Sequence, residues 1–369
     1  MTTPPTQPPA PGEPTGGASP AAYGIAESAD PPGLPLDALA DFLAREAPDL
    51  LSPPLTAQLV AGGKSNLTYV VTGGERSVIV RRPPLGHVLA TAHDMVREHR
   101  VITALHDTPV PVPETYAVCP DDSVIGAPFY VMELAPGTPF RLAAELAPLG
   151  PQRTRAICER MVDTLVALHA VDPAAVGLSD FGRPEGFLER QVRRWKKQLD
   201  GSRSREVAGI DELHAWLAAN VPPESPPAIV HGDFRLDNLL VDTTDERDRV
   251  TAVLDWEMAT LGDPLTDVGL MQVYQALAGL GGGAGVSDVA LAPGWLTPDE
   301  ILQRYAAGSG RDLGNLSFHL GLAYFKLAVI LEGIHYRYTQ GQTVGGGFAS
   351  IGAAVEPLVA AGLHAVKEE

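Results

Sequence analysis

Three scarcities frame this chain. Cysteine is nearly absent: Cys119 and Cys158 are the two in 369 residues, which gives neither a disulfide framework nor a metal-ligand spacing. Each reads as a small buried hydrophobe. Positive charge is also short, with 27 Lys and Arg against 45 Asp and Glu and a net charge of −18. Phosphate-rich polymers and anionic bilayers are repelled by such a chain overall, so neither nucleic acid nor a membrane is expected as a partner. A local pocket is not bound by that argument. Long uncharged apolar runs are missing too. The most apolar late stretch, "GLAYFKLAVILEGIHYRY", carries Lys326 and Glu332 and predicts a core helix rather than a membrane span. The first residues have neither the charged start and apolar run of a secretory signal nor the arginines of a transit peptide, and a cytoplasmic protein is the expectation.

What is present is ordinary for a globular protein: 45% hydrophobic and 20% charged residues, on a length that suits one bilobal unit or two domains. Residues 1–33 are rich in Pro, Thr, Gly and Ala, with too little apolar surface to offset ordering, and predict a disordered tail. From Leu34, "LPLDALADFLARE" spaces its apolar residues at helical intervals. Strand-like runs follow, "LTAQLV", "LTYVVT" and "SVIVRR", then the amphipathic helix "AHDMVREHRVITALH" and two extended segments, "VPVPETYAVCP" and "APFYVMELAP". Beyond that the pattern is mainly helical. Strands with one helix, then a helical bulk, predict an α+β chain: a small N-lobe with an antiparallel sheet over 34–134 and a larger C-lobe over 135–369. The segment "GLGGGAGVSDVALAPGWL" reads as a mobile loop between C-terminal helices.

The densest chemistry lies in "IVHGDFRLDNLLVD" and the following "VTAVLDWEMATLGDPLTDVGL". Asp233, Asn238 and Asp255 stand behind apolar runs that read as short strands. An Asn amide oxygen and an Asp carboxylate suit Mg²⁺, which takes few protein ligands beside substrate phosphates. Asp233, five residues before Asn238, is then free to orient or deprotonate a hydroxyl. Phosphoryl transfer needs that set.

These residues carry a resemblance. "HGDFRLDN" aligns without gaps on the protein-kinase loop H-R-D-L-x-x-x-N, with Gly232 in place of Arg, and "LDWE" stands where kinases carry D-F-G. The HGD form resembles the aminoglycoside phosphotransferase and choline-kinase-like family. Within it, "VRRPPLGHVLATAHDMVREHRVITAL" and "SVIGAPFYVMELAPG" resemble the subgroup related to acyl-CoA-dehydrogenase fusions. The resemblance implies a protein-kinase-like bilobal fold, ATP and Mg²⁺ as cofactors, and a small-molecule hydroxyl as acceptor. It implies Asp233 as catalytic base, Asn238 and Asp255 as metal ligands, His231 as a loop brace, and Arg235 near the transferred phosphoryl group. Asp267 resembles the helix-start aspartate that supports the loop from below. Arg81 falls where kinases place a lysine and Glu98 where its ion-pair partner lies; Arg for Lys departs from the kinase pattern. "FYVMELAPG" resembles the interlobe hinge, with the backbone of Glu133 and Ala135 holding adenine and Leu240 packing under the ring.

"GGKSNLTY", at 62–69, looks like the end of a Walker A loop but fails it: the glycine required five positions before Gly63 is Gln58, and the following residues are strand-like. A hairpin remains in which Gly62 and Gly63 let the backbone approach phosphates, with Ser65 and Asn66 as donors and Lys64 dispensable. Other acidic residues, Asp237, Asp242, Asp263 and the run "DTTDERDR", read as turn or solvated residues. The helix "LERQVRRWKKQLDGSRSR" gathers Arg190, Arg193, Arg194, Lys196, Lys197, Arg203 and Arg205 around Trp195. It reads either as a solvated face or as an attractor for an anionic acceptor such as a hydroxyacyl-CoA. An aminoglycoside, being a polycation, would want an acidic groove instead. A non-catalytic nucleotide-binding regulator is the third reading, opposed by the intact Asp233, Asn238 and Asp255 and kept open by Arg81.

Overall fold

Strand chemistry shapes the first part of the chain. It runs β1 (Ile25–Ala26), α1 (Leu36–Glu46), β2 (Leu55–Val60), β3 (Leu67–Gly73), β4 (Arg76–Arg82), α2 (Met95–Leu105), β5 (Thr115–Cys119) and β6 (Phe129–Glu133). The strands form one antiparallel sheet in the order β1-β2-β3-β4-β6-β5. The structure is a computed structural model that describes residues 25–26, 31–60, 66–85, 93–279, 287–342 and 350–367. Most of the expected tail, and Gly62, Gly63, Lys64 and Ser65 of the glycine-rich hairpin, lie outside the described residues.

Successive strand residues point to opposite faces, and this sheet uses both. Tyr69, Val71, Val78, Val80, Phe129 and Val131 pack on one face against Leu39, Phe42 and Leu43 of α1. Their neighbours Val70, Ile79, Tyr130 and Met132 face the other way, onto Met95, Val101, Ile102 and Leu105 of α2. Both helices read from the sequence thus pack on this sheet, where the expectation gave the lobe one. Asp94 starts α2 by accepting a 2.9 Å hydrogen bond from the Arg97 amide. The α2-facing core continues without a break into the C-lobe through Ile157, Met161 and Leu165.

The C-lobe contains α3 (Ala143–Leu146), α4 (Gly150–Ala170), α5 (Phe187–Ser202), α6 (Ile210–Ala219), β7 (Ala228–Val230), β8 (Leu239–Asp242), β9 (Arg249–Val253), β10 (Thr260–Gly262), α7 (Leu265–Gly279), α8 (Pro298–Ser309), α9 (Leu316–Thr339) and α10 (Val355–Ala365). Two antiparallel ribbons, β7 with β10 and β8 with β9, place 231–238 and 254–259 side by side at the lobe interface. In α8, Thr297 and Glu300 form a reciprocal capping box, with Pro298 at the first turn and Gly310 at φ 64° ending the helix. Of the segment expected as a mobile loop, 280–286 lie outside the described residues. Val289 beyond them is buried, and Asp288 bonds the backbone at Arg141 and Ala143.

Helix α9 is long and apolar enough to cross a membrane, yet 67% of its apolar window is buried within the protein. Phe318, Leu322, Phe325 and Val329 pack among α5, α6, α7 and α10. Glu332, fully buried, is held by Arg205 through contacts of 2.8 and 3.0 Å, and Ser204 adds a third donor. Removing one partner of a buried pair leaves an uncompensated charge. Arg205→Ala is expected to lower the unfolding free energy by about 3 kcal/mol, at the weak end of that range because Arg205 is partly solvated; urea denaturation checks it.

Candidate active site

The loop 231–238 is shaped by one buried carboxylate. Asp267, in the first turn of α7, accepts the His231 amide at 2.7 Å and the Gly232 amide at 2.8 Å, with His169 Nε2 at 3.2 Å. His169 is in turn held by the Tyr305 hydroxyl at 2.8 Å. The His231 ring closes the loop on itself: Nε2 donates to the Leu254 carbonyl at 2.9 Å and Nδ1 accepts the Asp233 amide at 3.2 Å. Those partners require the neutral tautomer with its proton on Nε2. His231 thus ties the Asp233 turn to the residue preceding Asp255. Gly232 sits at φ 85°, and an added Cβ would lie 2.8 Å from Met258 Cβ and 2.9 Å from its carbonyl oxygen. An arginine cannot occupy that position here.

Both oxygens of Asp233 are bonded. Oδ1 accepts the Tyr274 hydroxyl at 2.5 Å and Oδ2 the Asn238 amide at 3.0 Å, while Arg235 Nε lies 3.3 Å from Oδ2. Burial acts to raise the Asp233 pKa, but Arg235 and the Tyr274 hydroxyl outweigh it and hold the group below the usual carboxylate range. Asn238 also donates to the Asp233 carbonyl at 2.8 Å. With its amide hydrogens turned to Asp233, its Oδ1 is left as the acceptor end. Asp255 follows β9 in the left-handed region, φ 65° and ψ 60°.

Arg81 joins the two lobes. Its Nε lies 3.0 Å from Glu98 Oε2, and its Nη2 donates to Asp255 Oδ1 at 2.6 Å. Glu98 also takes the Tyr130 hydroxyl at 3.1 Å and the Asn66 amide at 3.2 Å. Burial alone would depress the Arg81 pKa, but Tyr130, Glu98 and Asp255 outweigh it and keep the guanidinium charged. The structure thus brings Arg81, Asp233, Arg235, Asn238 and Asp255 into the lining of one cavity of about 450 Å³, with Glu98 behind Arg81. Val60, Ile79, Met132, Ala135, Leu240 and Leu254 add apolar surface to the same lining, and Ala135, Leu240 and Leu254 pack together.

Three sequence expectations need correction. Asn66, expected as a phosphate donor in the hairpin, is buried, and its amide is committed to Glu98 and Glu257 at 3.2 Å each. The Glu133 amide donates to the Glu114 carbonyl at 2.8 Å because β6 continues to that residue, so the expectation of its backbone at adenine falls to its carbonyl and is not one of the three. Asp237, expected as a solvated turn residue, lines the cavity with its side chain 3% exposed, between Arg235 at 3.2 Å and Arg141 at 3.5 Å. Burial raises its pKa against the pull of those arginines. Asp263 is likewise buried, accepting from the Leu265 amide at the start of α7 and from Ser225.

A second cavity, of about 530 Å³, opens behind Gly232 between α2, α5, α7 and α9. Lys326 donates to the Gly232 carbonyl at 2.9 Å and lies 5.6 Å from the Trp195 ring centre. The carboxylates in this lining are engaged: Asp94 caps α2, Glu98 holds Arg81, Asn66 bonds Glu257, and Asp267 holds the loop. Arg183 and Arg194 are exposed at its rim, without an ion pair among the described residues. The rest of the basic helix is largely neutralised nearby. Arg193 pairs with Glu189, Lys196 with Asp200, Arg203 with Asp211 and Arg205 with Glu332, while Arg190 bonds the carbonyls of Arg183 and Glu185.

Gly232→Ala is expected to cost about 1–3 kcal/mol through its left-handed backbone and the clash with Met258. A lowered melting temperature with unchanged far-UV circular dichroism checks this.

The profile of the phosphotransferase enzyme family, APH, matches residues 56–313. Acyl-CoA dehydrogenase family member 11 of Gallus gallus is 35% identical over 338 residues, covering 88% of this chain and 43% of that protein. The chain thus spans less than half the length of the curated relatives of that name. A crystal structure of a candidate aminoglycoside phosphotransferase from Ralstonia eutropha matches with a TM-score of 0.78 and 33% identity, over 90% of this chain and 98% of that one. Aminoglycoside phosphotransferase APH(4)-Ia, crystallised as a thermostable mutant with AMP-PNP and hygromycin B, matches at TM-score 0.55 and 18% identity, over 90% and 99% of the two chains.

Proposed function

The chain belongs to the APH phosphotransferase enzyme family, and from that premise we propose that it moves the γ-phosphoryl group of ATP, with Mg²⁺, to a hydroxyl of a small molecule. The observation that carries this reading is the meeting of Asp233, Asn238 and Asp255 in a cleft lined by both charged and apolar side chains. A nucleotide fits that polarity, with its base against Ala135 and Leu240 and its phosphates toward Arg81. The donor set suits Mg²⁺: Asn238 has its Oδ1 turned away from Asp233, and Asp255 has Oδ2 beyond the oxygen that Arg81 takes. The bound metal would offset charge on the phosphate oxygens.

The protein's own groups then have distinct tasks. Asp233, ionised at neutral pH, accepts a hydrogen bond from the acceptor hydroxyl and aims its oxygen at the γ-phosphorus. The new P–O bond forms as the bond to ADP breaks, and the hydroxyl proton passes to Asp233. Arg235, fixed by Asp233, Asp237 and the Tyr274 ring, faces the transferred charge. Arg81 can release Asp255 to the metal while Glu98 keeps it in place.

The second cavity supports an acceptor with an anionic group, a hydroxyacyl-CoA-like metabolite. Its carboxylates are engaged whereas Arg183 and Arg194 are not, so an incoming phosphate meets free cations and an aminoglycoside does not meet free anions. The likeness to aminoglycoside phosphotransferases keeps an antibiotic kinase as the second reading. A coupled ATP-consumption screen over hydroxyacyl-CoAs, other hydroxylated metabolites and aminoglycosides decides between them. Turnover confined to polycations would overturn the anionic reading.

Asp233→Asn is expected to leave ATP binding intact and cut turnover by about 10²–10⁴-fold, read by calorimetric titration beside the coupled assay. Asp255→Ala should lose Mg²⁺-dependent ATP binding, and unaltered affinity would reject its ligand role. Reversing charge in an Arg183→Glu, Arg194→Glu double variant should raise the acceptor KM by about 10–100-fold, the scale of one charge-assisted hydrogen bond, with the KM for ATP unchanged.

A further inference from the structure

Helix α7 touches the catalytic loop twice. Asp267, in its first turn, holds the loop backbone. Seven residues on, two helical turns along the same face, Tyr274 reaches the side chain of Asp233 at 2.5 Å. Nothing in the phosphoryl-transfer reading requires that second contact. Neither the kinase-like loop motif nor the metal-ligand set contains a tyrosine.

We propose that Tyr274 is a positioning residue for phosphoryl transfer: its hydroxyl, donating to Oδ1, fixes the carboxylate plane of Asp233 and thereby the direction from which an acceptor hydroxyl is received. The proposal rests on the kinase reading above. Three observations support it. The two Asp233 oxygens are held by different elements, Oδ1 from α7 through Tyr274 and Oδ2 from the loop through Asn238 at 3.0 Å. A carboxylate pinned at both ends cannot turn about its Cβ–Cγ bond without breaking one of them. An ionised carboxylate has about four lone-pair sites, so these two donors leave defined sites for the acceptor. Next, the Arg235 guanidinium lies 5.1 Å from the centre of the Tyr274 ring, so one side chain orients both the base and the cation facing the phosphoryl group. Last, burial and the adjacent Asp233 push the Tyr274 hydroxyl well above its usual pKa, so it stays protonated and acts as a donor throughout the neutral range.

A tyrosine kept only for packing would make a different prediction. Its ring also lines a small gap beside Leu236, Met271 and Trp295, and Tyr274→Phe preserves that filling and the stack under Arg235 while deleting the hydroxyl. The test uses the full chain. With any acceptor that the wild type phosphorylates, Tyr274→Phe is expected to keep its melting temperature and the KM for ATP and acceptor within about twofold, and to lose about 10–100-fold in kcat, the scale of a reacting group misplaced by about 1 Å. Tyr274→Leu, lacking ring and hydroxyl, should be impaired in kcat and in stability. A Tyr274→Phe enzyme with wild-type kcat, beside an impaired Tyr274→Leu, would assign Tyr274 to packing and overturn the proposal. A readout independent of turnover separates this from the kinase reading. In protein labelled with ¹³C at the aspartate carboxyl carbons, the Asp233 signal, assigned by its loss in Asp233→Asn, should move in Tyr274→Phe while the Asp267 signal does not. If no acceptor is phosphorylated by the wild type, the kinase reading fails; a moved Asp233 signal would then still support the positioning contact, and an unmoved one would overturn it.

Discussion

A single carboxylate without access to solvent, Asp267, sets the terms for the rest of the site. Buried ionised groups are tolerated only where hydrogen bonds replace water, and Asp267 meets that condition by taking the amides of His231 and Gly232 and the ring of His169. The loop backbone must come to the helix to satisfy it. Once there, Gly232 is forced to positive φ against Met258, His231 turns its ring to the Leu254 carbonyl, and Asp233 projects into the cleft. The geometry of 231–238 is a solution to one desolvation problem, and the chemistry sits on that solution.

Charge is distributed with a similar logic over the C-lobe. The chain is strongly acidic, yet the cavity behind Gly232 retains unpaired arginines because its acidic lining is already engaged in structure. What a ligand senses there is the unengaged charge, since paired groups offer little field beyond a few ångströms. Helix α5 illustrates the difference. Five of its basic side chains and those just after it are answered by nearby carboxylates or carbonyls, and Arg194 is left at the rim. A composition count over that helix overstates its attraction for anions. The spatial pairing corrects the count.

Residues singled out by fixed short spacing in the sequence are the ones the structure brings together. Asp233, Asn238 and Asp255 are held by a loop and a ribbon whose lengths the motif itself encodes, and the short apolar runs of β3, β4 and β6 mark strands buried on both faces. The reading from sequence fell short where the environment of a residue depends on distant chain. Asp237 is polar and flanked by loop residues, so it resembles a turn; its burial follows from Arg141, nearly a hundred positions earlier. Asn66 faces inward because Glu98 and Glu257 converge on it from both lobes. Tyr274 sits in an apolar helical run and looks like core. Its i, i+7 relation to Asp267 was visible, but that relation gains meaning only once Asp267 is known to lie under the loop. The α1 helix was legible as a helix; its place on the back of the sheet was not, since local periodicity does not say which face a helix covers.

The fork of Arg81 has one more consequence. A lysine would offer a compact charge, whereas a guanidinium presents separate nitrogens to Glu98 in α2 and to Asp255 in the C-lobe at the same time. The state of Asp255 and the placement of α2 are therefore thermodynamically linked, and linkage is reciprocal. Whatever draws Asp255 away changes the restraint that the C-lobe exerts on α2. By the same amount, anything that shifts α2, a ligand in the cavity against its Asp94–Glu98 turn included, changes how readily Asp255 is given up. The two cavities flank that helix, so an occupant of one can influence affinity in the other through one arginine.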